Sequence, residues 1–171
     1  MVPGAKTRIC LIEHIDSKIV IMDAPNDNTS ALYVKELKAY GVTDVVRTCE
    51  PTYAVEKFEK ESIQVHDWAF PDGAAPPDDL LEKWTDLIQL RYRSKDPGQI
   101  GVVAVHCVAG LGRAPVMAAV ALMELTGIDC WDVVEKIREK QKGAINARQL
   151  EFLRNYRPKK RRSPPCGCVL M

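Results

Sequence analysis

The chain has 171 residues, 46% of them apolar and 27% charged, which suits one soluble domain with a short appendage. No apolar run is long enough to span a bilayer; the longest, residues 114–123, suits a buried helix. Five cations (Arg157, Lys159, Lys160, Arg161 and Arg162) lie in 157–171, which holds no acid, so residues 1–156 fall from the chain's formal +1 to −4. An acidic body of this kind argues against a broad nucleic-acid surface.

In chain order, 7–14 and 18–23 read as two strands, with Asp16-Ser17 at the turn between them. Residues 29–40 read as a helix stopped by Gly41. A short strand over 42–48, a short helix over 53–60 and a strand over 63–68 follow. The proline-rich stretch 69–77 is a loop. After Pro76-Pro77, Asp79-x-x-Glu82 has the form of a capping box with Asp in place of Ser, and Leu80, Trp84, Leu87 and Ile88 share one face of the helix it opens. The β-branched run 100–106 reads as a central buried strand. Helices over 113–126, about 130–141 and 146–156 complete the body. Alternation of this kind predicts a three-layer α/β fold over 1–156, with a mainly parallel sheet of four to five strands flanked by helices. Residues 157–171 form the tail. Such folds bind ligands in the loop after a central parallel strand.

That loop carries His106-Cys107-Val108-Ala109-Gly110-Leu111-Gly112-Arg113. Five residues between Cys107 and Arg113 can curl so that successive backbone N–H groups point inward and make an anion nest. The helix starting near Arg113 adds its positive end. Gly110 and Gly112 are expected to supply the φ > 0 positions of the curl. Arg113 can grip two phosphate oxygens, and Pro115 is tolerated in the first helical turn. At the base of this cup Cys107 is stabilised as a thiolate, able to attack phosphorus and form a cysteinyl-phosphate. His106 is expected to help hold the loop. The six cysteines contain no Cys-x-x-Cys pair, so no metal and no other cofactor is expected.

The stretch HCVAGLGRAPV resembles the phosphatases of regenerating liver, the type IVA protein tyrosine phosphatases. The resemblance runs over nearly the whole chain, including the 68–73 loop, the 143–150 segment and the tail. Its sharpest mark is Ala114, where most relatives carry Ser or Thr after the arginine. The resemblance implies a dual-specificity-like phosphatase acting on phosphotyrosine in proteins, and on other phosphomonoesters. Multiply charged lipid headgroups are less favoured, because Val108, Ala109 and Leu111 stand where such enzymes place lysine. Asp72 matches the family's general acid, although Pro71-Asp72-Gly73 also fits a plain turn. Ala69 and Pro71 depart from the usual acid loop and leave its mobility open. Cys49 matches the partner in a reversible disulfide with Cys107; a plain buried thiol is the alternative. Cys10 and Cys130 read as buried thiols, and His14 and His66 as strand residues with ordinary partners. Asn146-x-x-Gln149 reads best as a helix cap, while related phosphatases use this region to position hydrolytic water. Without a hydroxyl at position 114, the departing thiolate lacks a donor and turnover should be slow.

The same resemblance implies a second role, binding of CNNM-type magnesium transporters through an acidic loop that enters the phosphate cup, and admits a homo-oligomer. The end of the chain, Cys168-Val169-Leu170-Met171, is a farnesylation signal. Pro164 and Pro165 keep it extended, and the five basic residues supply the second signal that one lipid chain needs. Cys166 is a further thiol open to palmitoylation, which nothing requires. A basic nuclear localisation tail is the alternative. With no apolar signal segment at the start, the chain is expected in the cytoplasm, peripheral on the cytoplasmic face of the plasma or endosomal membranes, its cysteines mostly reduced.

Overall fold

Alternation of side chains along two strands sets the layers. Ile19 and Ile21 of the second strand, with Val103 and Val105 of the fifth, face one side of the sheet; Val20, Met22, Val102 and Ala104 face the other. In the computed structural model, which describes residues 7–159, the strands are β1 Ile9–His14, β2 Ser17–Met22, β3 Val42–Arg47, β4 Gln64–Asp67 and β5 Val102–His106. Their order is β1-β2-β5-β3-β4. Only β1 and β2 pair antiparallel; the other neighbours are parallel, so the sheet is mostly parallel, as the sequence predicts. The hairpin turn lies one residue earlier than expected. His14 pairs with Ser17, so Ile15 and Asp16 make the turn, with exposed Ile15 at φ 53.

Two helices, α1 Ser30–Ala39 and α2 Glu56–Glu59, cover one face with Leu37 and Phe58. On the other lie α3 Asp78–Arg93, α4 Arg113–Thr126, α5 Cys130–Lys140 and α6 Ala147–Asn155. The larger core sits there, around Trp84, Met117 and Ile137. Trp84 donates its Nε1–H to the carbonyl of Met117 at 2.9 Å, tying α3 to α4 without leaving a buried donor unpaired. The capping box expected at Asp79 and Glu82 does not form. The helix starts one residue earlier, its N-cap is Pro77, and no side chain caps it. Proline is preset for such a start, and Asp78 and Asp79 in the first turn oppose the positive helix end instead. The predicted 53–60 and 63–68 elements are also shorter than expected, at Glu56–Glu59 and Gln64–Asp67, with Ser62 at φ 60 in the turn between them.

At the far end Glu124, buried within α4, accepts from the hydroxyl of Tyr156 at 2.5 Å and from the backbone N–H of Lys159 at 3.0 Å. The farnesylation signal at Cys168, together with Cys166 and the cations from Lys160 to Arg162, lies outside the described residues.

Candidate active site

All five residues of β5 are buried, and Cys107 follows at 3% exposure. Neighbouring elements pin the loop beyond it through the main chain. Ala24 N–H donates to the Val108 carbonyl at 3.1 Å, and Ile145 N–H to the Leu111 carbonyl at 2.9 Å. The His106 carbonyl accepts twice from Thr48, from its N–H at 2.9 Å and its hydroxyl at 2.7 Å. Gly110 adopts φ +73, and a Cβ there would lie 3.0 Å from the Met22 carbonyl oxygen, so both conformation and space demand glycine. Gly112 does not have the positive φ expected of it; its φ is −118. A Cβ there would sit 3.4 Å from Gln149 Nε2 and 3.8 Å from Asp72 Oδ1, ordinary contact distances.

The first turn of α4 begins at Arg113 and aims its unpaired N–H groups at this loop, with Pro115 where no donor is needed. Arg113 is 8% exposed. Its Nη1 donates to the carbonyls of Thr48 and Phe70, both at 3.0 Å, so the ends of β3 and the acid loop fix the guanidinium. Its Nε has no aligned hydrogen-bond partner and lies 3.3 Å from Asp72 Oδ1. The Asp72 side chain is 81% exposed. Val108 and Leu111 are exposed on the loop and give the cup an apolar rim. Asp72 and Arg113, 41 residues apart in the sequence, thus meet beside the loop that follows Cys107.

Beneath the cup His106 is fully buried, and burial pulls its pKa down to about 4, so the ring is neutral near pH 7. Its Nδ1 lies 3.3 Å from the Cys107 carbonyl, which only accepts, so Nδ1 carries the proton. Nε2 is then the acceptor for the Tyr53 hydroxyl at 2.9 Å. Tyr53 is buried, and burial raises its pKa, keeping the hydroxyl protonated. Arg47 backs Tyr53, donating to its carbonyl at 2.7 Å and to Asp67 Oδ2 at 2.8 Å. Sequence reasoning found His106 but missed Tyr53 and Arg47, which no local motif marks.

Cys49 is buried at the end of β3, its Sγ 4.0 Å from His106 Nδ1. Burial pushes its thiol pKa up; Arg113 opposes that shift and Cys107 adds to it. Cys10 and Cys130 are half-buried rather than buried, and burial raises both thiols. His66 has an ordinary partner, its Nε2 2.8 Å from Asp44 Oδ1. Asn146 and Gln149 form the capping box of α6.

Comparison with known proteins gives this arrangement a family. Residues 12–156 match the protein-tyrosine phosphatase family model. The chain is 44% identical over 153 residues to the probable protein tyrosine phosphatase type IVA A of Dictyostelium discoideum, covering 90% of each chain. It is 47% identical to the type IVA 3 phosphatase of Mus musculus (84% of this chain, 81% of that one) and 47% identical to the PRL-1 phosphatase of Drosophila melanogaster (88% and 84%). Among solved structures, a protein tyrosine phosphatase from Leishmania major superposes with a TM-score of 0.75 at 36% identity, over 90% of this chain and 99% of that one. Kinase associated phosphatase shares the fold at 18% identity and a TM-score of 0.68 (88% and 93%). The chain therefore belongs to the protein tyrosine phosphatase family, in its type IVA (phosphatase of regenerating liver) branch, and is a cysteine-based protein tyrosine phosphatase.

Proposed function

We propose that the chain hydrolyses phosphotyrosine in proteins, and other phosphomonoesters, in two steps through Cys107. In the first, the Cys107 thiolate attacks phosphorus, the bond to the phenolic oxygen breaks, and Asp72 gives that oxygen its proton. In the second, water attacks the cysteinyl-phosphate, gives a proton to the Asp72 carboxylate, and the sulfur–phosphorus bond breaks to return the thiolate. Backbone N–H groups of 108–112 and the free edge of Arg113 bind the phosphoryl oxygens throughout. What carries this reading is the convergence of a buried Cys107, a fixed Arg113 and an exposed Asp72 at 3.3 Å from the arginine. Replacement of the nucleophile is the test: Cys107→Ser should fold normally and lose on the order of 10⁴-fold or more in kcat. Activity within tenfold of the parent would remove Cys107 from the mechanism.

The second step should be slow. Ala114 is fully buried directly after Arg113 and offers no donor to the departing sulfur, so phosphoenzyme accumulates. Peroxide should convert the Cys107 thiolate to a sulfenic acid with release of hydroxide, and Cys49 should then displace water to close a disulfide. The shared neighbourhood of Cys49, His106 and Arg113 supports this. Peptide mapping after mild oxidation checks it, and dithiothreitol should reverse the bond.

A second reading rests on the rim. Exposed Val108 and Leu111 beside an anion cup suit an acidic loop of a CNNM-type magnesium transporter as well as a phosphotyrosine side chain. Pull-downs with the parent and Cys107→Asp, scored for transporter or phosphoprotein, separate the two roles. Farnesyl on Cys168 and the basic cluster together would hold the protein peripherally on a cytoplasmic membrane face. Cys168→Ser should then move it to the soluble fraction.

A further inference from the structure

The segment between α5 and α6 touches both loops of the site. Towards the phosphate loop, Ile145 N–H donates to the Leu111 carbonyl at 2.9 Å. Towards the acid loop, Asn146 Nδ2 donates to the Gly73 carbonyl at 3.2 Å and Gln149 Nε2 to the Ala74 carbonyl at 3.3 Å. Those two carbonyls directly follow Asp72 in the chain. On its far side the segment is anchored by Arg138, whose Nε donates to the Ala144 carbonyl at 3.0 Å and Nη2 to the Ile145 carbonyl at 2.8 Å.

Two further observations say that this geometry is imposed rather than relaxed. Ile145 is buried, β-branched, and held at φ 65, a left-handed conformation that such residues avoid unless their surroundings enforce it. Each amide of the pair is also used at both ends. Asn146 Oδ1 accepts from Gln149 N–H at 2.8 Å while its Nδ2 reaches Gly73. Gln149, fully buried, accepts from Asn146 N–H at 3.1 Å through Oε1 while its Nε2 reaches Ala74. The capping box that starts α6 therefore uses the two amide oxygens as acceptors, while the amide nitrogens donate to the acid loop.

We propose that residues 144–149 act as a strut that sets the spacing of the acid loop from the phosphate loop, with Asn146 and Gln149 as positioning residues for Asp72. The proposal rests on the reading of Asp72 as general acid. It gives the Gln149 amide a place on the acid loop, with Oε1 in the helix cap and one Nε2–H on the Ala74 carbonyl. Its consequence falls on the first chemical step, and only as far as the leaving group needs a proton.

Two conservative variants separate the strut from the cap. In Asn146→Ser the hydroxyl still caps the helix but cannot donate to Gly73. In Gln149→Glu the carboxylate still completes the capping box but has no donor for Ala74. Steady-state kinetics would use the full chain, a phosphotyrosine peptide as the poor leaving group, and a fluorinated umbelliferyl phosphate as the good one. Each variant should lose about five- to tenfold in kcat/KM on the peptide, roughly the worth of one hydrogen bond, with less than a twofold loss on the good leaving group. The value of kcat, set by the second step, should hold on both; the thermal midpoint of Asn146→Ser should match the parent, while that of Gln149→Glu should fall because its carboxylate is buried. Equal loss on both substrates, with or without a lower midpoint, would overturn the strut in favour of a structural role. A fall in kcat with kcat/KM intact would overturn it in favour of water positioning, and no change at all would also defeat it. Asp72→Asn serves as the reference. Should it show no leaving-group-dependent loss while the parent remains active, the general-acid reading fails and the strut with it.

Discussion

Cys107 sits on the end of the central strand, 3% exposed, in a loop that β2, β3 and the 144–149 segment pin through main-chain groups. Asp72 projects from a loop beside the sheet edge, its side chain 81% exposed; main-chain bonds from Trp68 to Arg47 and from Phe70 to Thr48 hold the start of that loop, and side chains of Arg113, Asn146 and Gln149 hold the rest. The difference fits the roles proposed for the two halves. As a nucleophile in an anion nest, Cys107 would need fixed dipoles in a dry place, whereas Asp72 as an acid would have to reach a leaving group that enters from solvent. Arg113 joins the halves, since it opens α4 after the Cys107 loop and its Nη1 bonds the carbonyls of Thr48, beyond β3, and of Phe70, in the loop that carries Asp72.

The largest way to sharpen this contrast is to remove the acid alone. Asp72→Ala should cost about 10²–10³-fold in kcat/KM on a phosphotyrosine peptide, within the usual range for general acid catalysis, and far less on an ester with a good leaving group. Because the side chain is exposed, folding stability should be unchanged. A uniform loss on both substrates would put Asp72 in phosphate binding instead.

The buried half should instead couple to stability through His106. Burial depresses its folded pKa to about 4 from a usual 6.5, so the unfolded chain binds the extra proton between these values. Stability from this group is full above about pH 6.5 and is lost as pH falls towards 4, by roughly 3 kcal/mol. Urea titrations at pH 4.5 and 7.5 on the parent and His106→Gln would show it as a steeper pH dependence in the parent. Parallel curves would mean that His106 is not held neutral.

Gly110→Ala tests the loop's conformation. A side chain at φ +73, 3.0 Å from a backbone oxygen, should destabilise by about 1–3 kcal/mol and lower kcat/KM on good and poor leaving groups alike. Gly112→Ala should be milder in stability, because its φ is −118 and its contacts are ordinary. Equal stability losses would mean that both glycines serve the same conformational role.

The smallest effect is expected at Ala114. Ala114→Ser supplies a donor to the departing sulfur and should raise kcat by up to about tenfold while leaving kcat/KM nearly unchanged. A rise in kcat/KM alone would place the slow step before the phosphoenzyme.

The same contrast explains what the sequence made legible. The nucleophilic half is contiguous: strand, Cys107, five residues and Arg113 lie in one stretch, so spacing and β-branched patterning suffice to read it. The parallel sheet follows from the same patterning. The acid half is tertiary. Asp72 was found through likeness to a family, and the partners of its loop, Asn146 and Gln149, lie more than seventy residues away, where the cap was visible and the second use of the amides was not. Tyr53 and Arg47 escaped for the same reason, since their value lies in contacts with His106 and Asp67. Gly112 looks in sequence like Gly110, and only the fold shows that its φ is negative and that a methyl group there would meet ordinary contacts.

The central claim is a phosphoryl group carried on Cys107. Rapid mixing of the full chain with a fluorogenic aryl phosphate, followed by acid quench and peptide mass spectrometry, tests it most directly. The account predicts a burst approaching one leaving group per protein molecule, a slower steady state, and one phosphoryl group on the peptide that contains Cys107. Turnover with no burst and no phosphate on that peptide would contradict it.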